Sequence, residues 1–195
     1  MRPGVMRIVG GRHRGRRLVA PPGEVVRPTS DRAREALFNI LSHGNFAASG
    51  LPFAGQPVVD AFAGTGALGL EALSRGAGEA AFIENDRAAL AALNRNIDAL
   101  DEADRCHVVR GDATRPPRPS ARAALALLDP PYGSGVGAAA LAALASAGWL
   151  LPDALAVIEI AAAEELAPPS GFAVADLRVY GAAKLVFLRR IGEPK

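Results

Sequence analysis

The sequence predicts an α/β fold: a mostly parallel, seven-stranded sheet with helices on both faces, ending in an antiparallel hairpin and preceded by a small β-hairpin and helix. Three observations predict it. Short apolar runs alternate with helix-period segments between residues 57 and 160. The first of these runs opens into a glycine-rich turn, "DAFAGTGALG" at 60–69. The chain closes with two strand-like runs on either side of Gly181.

Each element has its own signal. "MRIVGG" and "GRRLVAP" read as two short strands joined by a Gly/Arg turn, a β-hairpin over 6–20. In "RPTSDRAREALFNIL", Ser30 suits a helix N-cap and Asp31 suits the first turn, where the helix dipole favours a carboxylate. Ala33, Ala36, Leu37, Ile40 and Leu41 follow at helical spacing. A loop, "SHGNFAASGLPFAGQ", leads to a strand at 57–62 and the helix "ALGLEALSRG". Then come a strand at 79–84, a helix near 86–100, and strands at 106–112 and 123–129. A helix over about 137–147 and a strand at 154–160 precede the final pair, "AVADLRVYG" and "AAKLVFLRR". The expected division is a basic extension over 1–50 and the main domain over 51–195.

Composition narrows the class. No apolar run approaches the roughly 18 residues of a membrane span, and "MRPGVMRIVG" has no stretch suited to a signal peptide. Cys106 is the single cysteine, so an internal disulfide and a cysteine-cluster metal site are both excluded. His13, His43 and His107 lack metal-ligand spacing. A cytoplasmic protein without metal is expected. The net charge of +2 is unevenly placed: residues 1–34 hold nine arginines against Glu24 and Asp31, a net +7, which leaves −5 on the rest. Such polarity fits an arm that binds a polyanion. A solvated basic tail is the competing reading, weakened because the arginines alternate with Gly, Val, Ile and Leu.

Gly64, Gly66 and Gly69 spell G-x-G-x-x-G, with a strand before, a helix after and Glu84 twenty residues on. That context makes a nucleotide site of an otherwise weak motif, with Glu84 placed to bind ribose hydroxyls. Asp60 bears on which nucleotide. A carboxylate at the strand end repels the pyrophosphate of NAD but suits S-adenosylmethionine, which carries a sulfonium and an ammonium. Asp112, in "RGDA", could accept from an adenine amine or could simply close a turn; position alone leaves both open.

"LLDPPYGSG" (127–135) ends an apolar strand with a carboxylate, two prolines and an aromatic ring. Prolines cannot donate to a ladder, so the strand should stop at Asp129. An exocyclic amine on a nucleobase is a poor nucleophile because its lone pair is delocalised into the ring. The Asp129 carboxylate and the Pro130 carbonyl could accept its two N–H groups and aim the nitrogen, while Tyr132 stacks on the base.

"MRIVGGRHRGRRL", "RPTSDRAREALFNIL", "AFAGTGALGLEALSRGA", "IENDR" and "DPPY", in that order, resemble the RsmD family from about Met6 to Arg190. These are class I S-adenosylmethionine-dependent methyltransferases that modify a guanine N2 in bacterial 16S ribosomal RNA, with a Rossmann-like fold. The resemblance implies that Asp129, Pro130, Pro131 and Tyr132 form the catalytic loop. It places Asp60, Phe62, Gly64, Thr65 and Gly66, with Glu84, Asn85, Asp112 and Ala113, around S-adenosyl-L-methionine. The basic arm, expected to dock near the DPPY loop, would offer Arg7, Arg12, Arg14, Arg16 and Arg17, then Arg27, Arg32 and Arg34, to phosphates flanking the target base. The resemblance sets Arg27 and Thr29 on a loop near the active site. Pro28 lies on the same loop. The implied partner is ribosomal RNA or a small-subunit assembly intermediate, with no membrane and no obligate second subunit. The family often has Phe where Tyr132 stands, and Met6 is an alternative start, so Arg2 is given no function. Two other readings compete: an amino-methyltransferase acting on DNA, and a non-catalytic RNA-binding protein with a relic fold.

Overall fold

The computed structural model describes residues 6–21, 28–43, 46 and 52–191, with side chains in the first helix described from Arg32 onward. Its elements are α1 (Pro28–His43), β1 (Pro57–Ala61), α2 (Ala67–Ser74), β2 (Glu79–Glu84), α3 (Arg87–Leu100), β3 (Cys106–Arg110), β4 (Ala123–Leu128), α4 (Val136–Ser146), β5 (Leu150–Ala161), β6 (Phe172–Tyr180) and β7 (Ala183–Arg190). A 3-10 turn lies at Ala103–Arg105. One seven-stranded sheet runs in the order β3-β2-β1-β4-β5-β7-β6. Its first five strands are parallel, β7 is antiparallel to β5, and β6 is antiparallel to β7.

The central strands are buried on both faces, which is why they read as continuous apolar runs rather than alternating ones. Alternate residues nevertheless serve different cores. Val58, Phe82, Leu127 and Phe187 join Ile8, Leu18, Phe38, Leu73 and Leu93 on one face, so the N-terminal segment, α1, α2 and α3 share that core. Val59, Ile83, Leu128 and Val186 join Leu141, Leu144 and Trp149 from the α4 side on the other. Asp86 caps α3, its side chain accepting from the amides of Ala88 and Ala89. Among the described residues, no helix is long and apolar enough to cross a membrane.

Several boundaries differ from expectation. Helix α1 begins at Pro28, which its ring suits for the first helical position, so Ser30 lies inside the first turn rather than at the cap. β5 starts four residues early, through exposed Pro152, where the β4–β5 register shifts between Ala123 and Leu125. β3 stops at Arg110, and the β3–β4 connection (111–122) carries no helix. The N-terminal hairpin is reduced to one bridge, Arg7 with Arg17, flanked by backbone bonds from Ile8 to Arg16 and from Leu18 to Met6.

Buried polar side chains take the place of a longer ladder in holding that hairpin. Glu71 of α2 is fully buried; it accepts from the Val9 amide at 2.8 Å and from Arg75 at 2.6 Å. Ser74 donates to the Gly10 carbonyl and accepts from the His13 amide. Asn96 of α3 bonds both backbone groups of Val19 and also the Thr65 carbonyl. Gly11 has φ +73°, and a Cβ there would lie 1.8 Å from the Ser74 carbonyl oxygen, so no other residue fits this contact.

Candidate active site

The carboxyl edge of the parallel sheet, where open α/β folds bind ligands, gathers side chains from β1, β2, β4 and β5. Asp60 sits within β1, Glu84 ends β2, Asp129 follows β4 and Glu159 lies in β5. Leu128 of β4 is in register with Ile158 of β5, so Asp129 and Glu159 stand side by side one position further on. Met6, Arg34, Asp60, Phe62, Gly64, Asp129 and Glu159 are among the residues that line a cleft of about 260 Å³.

Asp60 is 1% exposed. Its Oδ2 accepts from the Gly69 amide at 2.8 Å, while Oδ1 has no hydrogen-bond partner among the described residues. Burial pushes its pKa well above the usual carboxylate range; the Gly69 bond opposes this, and the charges of Asp129 and Glu84 add to it. Glu84 works as a latch on the glycine loop. Its Oε2 accepts from the Gly64 amide at 2.7 Å and its Oε1 from the amides of Asn85 and Asp86. Gly64 has φ +55° with open space where a Cβ would stand. Phe62, just before it, holds φ +63°, a strained value for an aromatic residue.

Asp129 has an exposed outer face, but the protein packed around it and the Glu159 carboxylate beside it push its pKa up to about 7. Tyr132 is 41% exposed and its hydroxyl donates to Glu159 Oε1 at 2.7 Å. Pro130, Pro131 and Tyr132 face a neighbouring cavity of about 220 Å³, on whose wall Ile160, Glu164 and Leu166 also lie. Glu164 Oε1 accepts from the Gly133 amide at 2.7 Å and so ties down the loop's far end.

The structure thus brings Asp60, Phe62, Gly64, Thr65 and Asp129 to one cleft. Gly66, which caps α2, is not on its wall, nor are Glu84, Asn85, Asp112 and Ala113, while Pro130, Pro131 and Tyr132 line the neighbouring cavity instead. Glu84 reaches the cleft through Gly64, and Asn85 is exposed beside Glu84. Asp112 is exposed at a turn after β3, where bonds from the amide and hydroxyl of Thr114 hold its pKa down. Ala113 packs in the apolar core.

The arginines divide. Arg7, Arg14, Arg17 and Arg32 are exposed. Arg12 pairs with buried Glu102, which also holds His13 at 2.6 Å and Arg105 at 2.5 Å. Arg16 donates to the Ala99 carbonyl. Arg34 is 4% exposed and donates to the Arg7 carbonyl at 2.7 Å. Arg27 and the side chain of Thr29 lie outside the described residues. Ser74, Ala99 and Glu102 lie just before β2 and β3 begin, so the hairpin tip docks at the sheet edge opposite Asp129, not beside the DPPY loop. Only its Met6 end reaches the cleft, where the Thr65 hydroxyl meets the Met6 sulfur at 3.3 Å.

Sequence reading missed Glu159, Met6 and the buried position of Arg34. For Glu159 a signal existed: one carboxylate inside the apolar run "ALAVIEI".

An S-adenosyl ligand fits these residues. Its two cationic centres match a cleft with a half-satisfied buried carboxylate at Asp60 and further carboxylates at Asp129 and Glu159, whereas a pyrophosphate would be repelled. The open approach at Gly64 leaves room for it. With the strand order and the DPPY loop, this defines a class I S-adenosylmethionine-dependent methyltransferase. More narrowly, the chain belongs to the family described as conserved hypothetical protein 95, whose model matches residues 6–189, the RsmD family. Ribosomal RNA small subunit methyltransferase D of Escherichia coli (strain K12) is 40% identical over 157 residues, 80% of this chain and 75% of that protein. The protein of that name from Haemophilus influenzae is 32% identical over 91% of this chain and 90% of its own length. Among solved structures, yhhF from Escherichia coli superposes with a TM-score of 0.80 at 33% identity, covering 97% of this chain and 100% of that one.

Proposed function

We propose that this chain methylates the exocyclic N2 amine of a guanine in small-subunit ribosomal RNA, in the cytoplasm, on naked RNA or on an assembly intermediate. The observation that carries the reading is the position of Asp129: one residue past β4, at the cleft rim, in a proline-stiffened loop anchored by Glu164.

The chemistry follows from the residues. S-adenosylmethionine, when bound, supplies a methyl group on a cationic sulfur. Asp60 and Glu84, with the glycine loop that Glu84 latches, would hold it. Asp129 and the Pro130 carbonyl accept the two N–H groups of the amine, turning its lone pair toward the cleft. Tyr132 supplies a ring on which an unstacked base can lie. The proton becomes acidic only after nitrogen is alkylated. A carboxylate with a pKa of about 7 is then matched to take it from the amine and pass it to water.

Mass mapping of small-subunit rRNA from a deletion strain tests the reading. One N2-methylguanine should disappear, return with the wild-type chain and stay absent with Asp129→Ala. An unchanged modification map, or a methyl group missing from DNA instead, would refute it.

A further inference from the structure

The DPPY loop by itself does not distinguish guanine from other bases. Adenine and cytosine also present an exocyclic amine with two N–H groups, which Asp129 and the Pro130 carbonyl would accept equally well. What separates guanine is the neighbouring ring nitrogen. Guanine N1 carries a proton beside its amine, whereas the equivalent nitrogen of adenine or cytosine is an acceptor. A guanine-selective site therefore needs a further acceptor next to Asp129.

Glu159 stands there. It neighbours Asp129 across the parallel β4–β5 pair, lines the same cleft, and is half-buried. Its Oε1 accepts from the Tyr132 hydroxyl at 2.7 Å, while Oε2 accepts no hydrogen bond among the described residues. The carboxylate is therefore fixed by one oxygen and open by the other. Nearby, the orphaned Oδ1 of Asp60 marks this cleft as built for a ligand that brings its own donors or positive charge. We infer that Glu159 is the specificity-determining residue of the site, accepting the N1–H of the target guanine while Asp129 and Pro130 hold its N2 amine. The inference rests on the guanine-N2 reading above and adds the group that enforces it. Against adenine or cytosine, the same carboxylate would meet a ring lone pair, and that repulsion does as much for selectivity as the bond does for guanine.

The test uses small-subunit rRNA carrying either guanine or 2-aminopurine at the acceptor position mapped with wild-type protein. 2-Aminopurine keeps the 2-amine, has an acceptor at N1 and reports binding by its fluorescence. The wild-type chain should prefer guanine by about 10- to 100-fold in kcat/KM, the worth of a hydrogen bond to a charged group. Glu159→Gln, whose amide can donate to that acceptor, should bring the ratio within a few-fold of unity and tighten binding of the 2-aminopurine RNA. Glu159→Asp keeps an acceptor and should keep the preference at a lower rate. Tyr132→Phe removes the tyrosine hydrogen bond without touching the carboxylate, so the preference should persist. If Glu159→Gln slows both substrates equally, or Tyr132→Phe collapses the ratio as Glu159→Gln does, Glu159 only positions Tyr132 and the inference is overturned. A wild-type chain that methylates no guanine N2 overturns the functional reading itself, a different result from an unchanged ratio.

Discussion

Glu71 and Asp60 are both buried carboxylates, 0% and 1% exposed and eleven positions apart in the chain, yet their surroundings are opposite. Glu71, under the N-terminal hairpin, has both oxygens engaged, one by the Val9 amide and the other by Arg75, with Arg34 3.8 Å away. Asp60, in the cleft, has one oxygen engaged by Gly69 and one with no partner among the described residues. The same contrast separates the two regions. The hairpin side closes its polar groups on each other through Glu71, Ser74, Asn96 and Glu102. In the cleft, burial first and the neighbouring carboxylates second raise the pKa values of Asp60 and Asp129. Leaving a buried polar group half-satisfied costs stability, so the cleft is where the molecule gives up stability for a ligand.

The largest effect should come from breaking the closed side. Glu71→Ala leaves Arg75 and the Val9 amide without their acceptor, and removing one member of a buried pair costs about 3–5 kcal/mol. Thermal denaturation should show the destabilisation, and a melting temperature equal to that of wild type would show that the hairpin is held by apolar packing alone. Next in size, Asp129→Ala should leave folding intact and slow methyl transfer by roughly 100- to 1,000-fold. Turnover within a few-fold of wild type would remove Asp129 from the mechanism. Glu84→Ala should weaken S-adenosylhomocysteine binding in calorimetry by about 1–3 kcal/mol, by releasing the Gly64 loop and deleting a charged acceptor. An unchanged dissociation constant would mean the latch is irrelevant to the ligand.

A pH experiment sharpens the contrast. Asp129 binds its proton more tightly folded, near pH 7, than unfolded, near its ordinary 3.8. Between those values the native state holds a proton that the unfolded state has released, so this group's contribution to stability falls as pH rises. Asp129→Asn should therefore raise the melting temperature well above pH 7 and change it little below the ordinary carboxylate pKa. A gain of equal size in both ranges would contradict the raised pKa.

The smallest effects should divide the arginines. Alanine at Arg7, Arg14 or Arg17 should spare stability and reduce the log–log salt slope of RNA binding by about 0.7–0.9 for each phosphate that the variant no longer neutralises. Alanine at Arg12 or Arg16 should instead lower the melting temperature, because those side chains hold Glu102 and the Ala99 carbonyl. If all five behave alike, the division between docking and binding arginines fails.

The sequence by itself determined the alternation of strands and helices, the glycine loop with Glu84 twenty residues on, and the strand-ending DPPY. These are local: a period, a spacing or a missing amide N–H specifies each one. It also carried the family resemblance, through motifs in a fixed order. Interactions between distant residues decided the rest. Whether Arg12 faces RNA or Glu102 depends on a carboxylate 90 positions away, and composition cannot distinguish a paired surface arginine from an open one. Arg34 looks like part of a basic arm and is buried because α1 packs on the same face as α2. Glu159 acquires its place beside Asp129 only when β5 settles next to β4 in one particular register. Pairing register is set by how side chains pack across the whole sheet, and no short window of sequence contains that information.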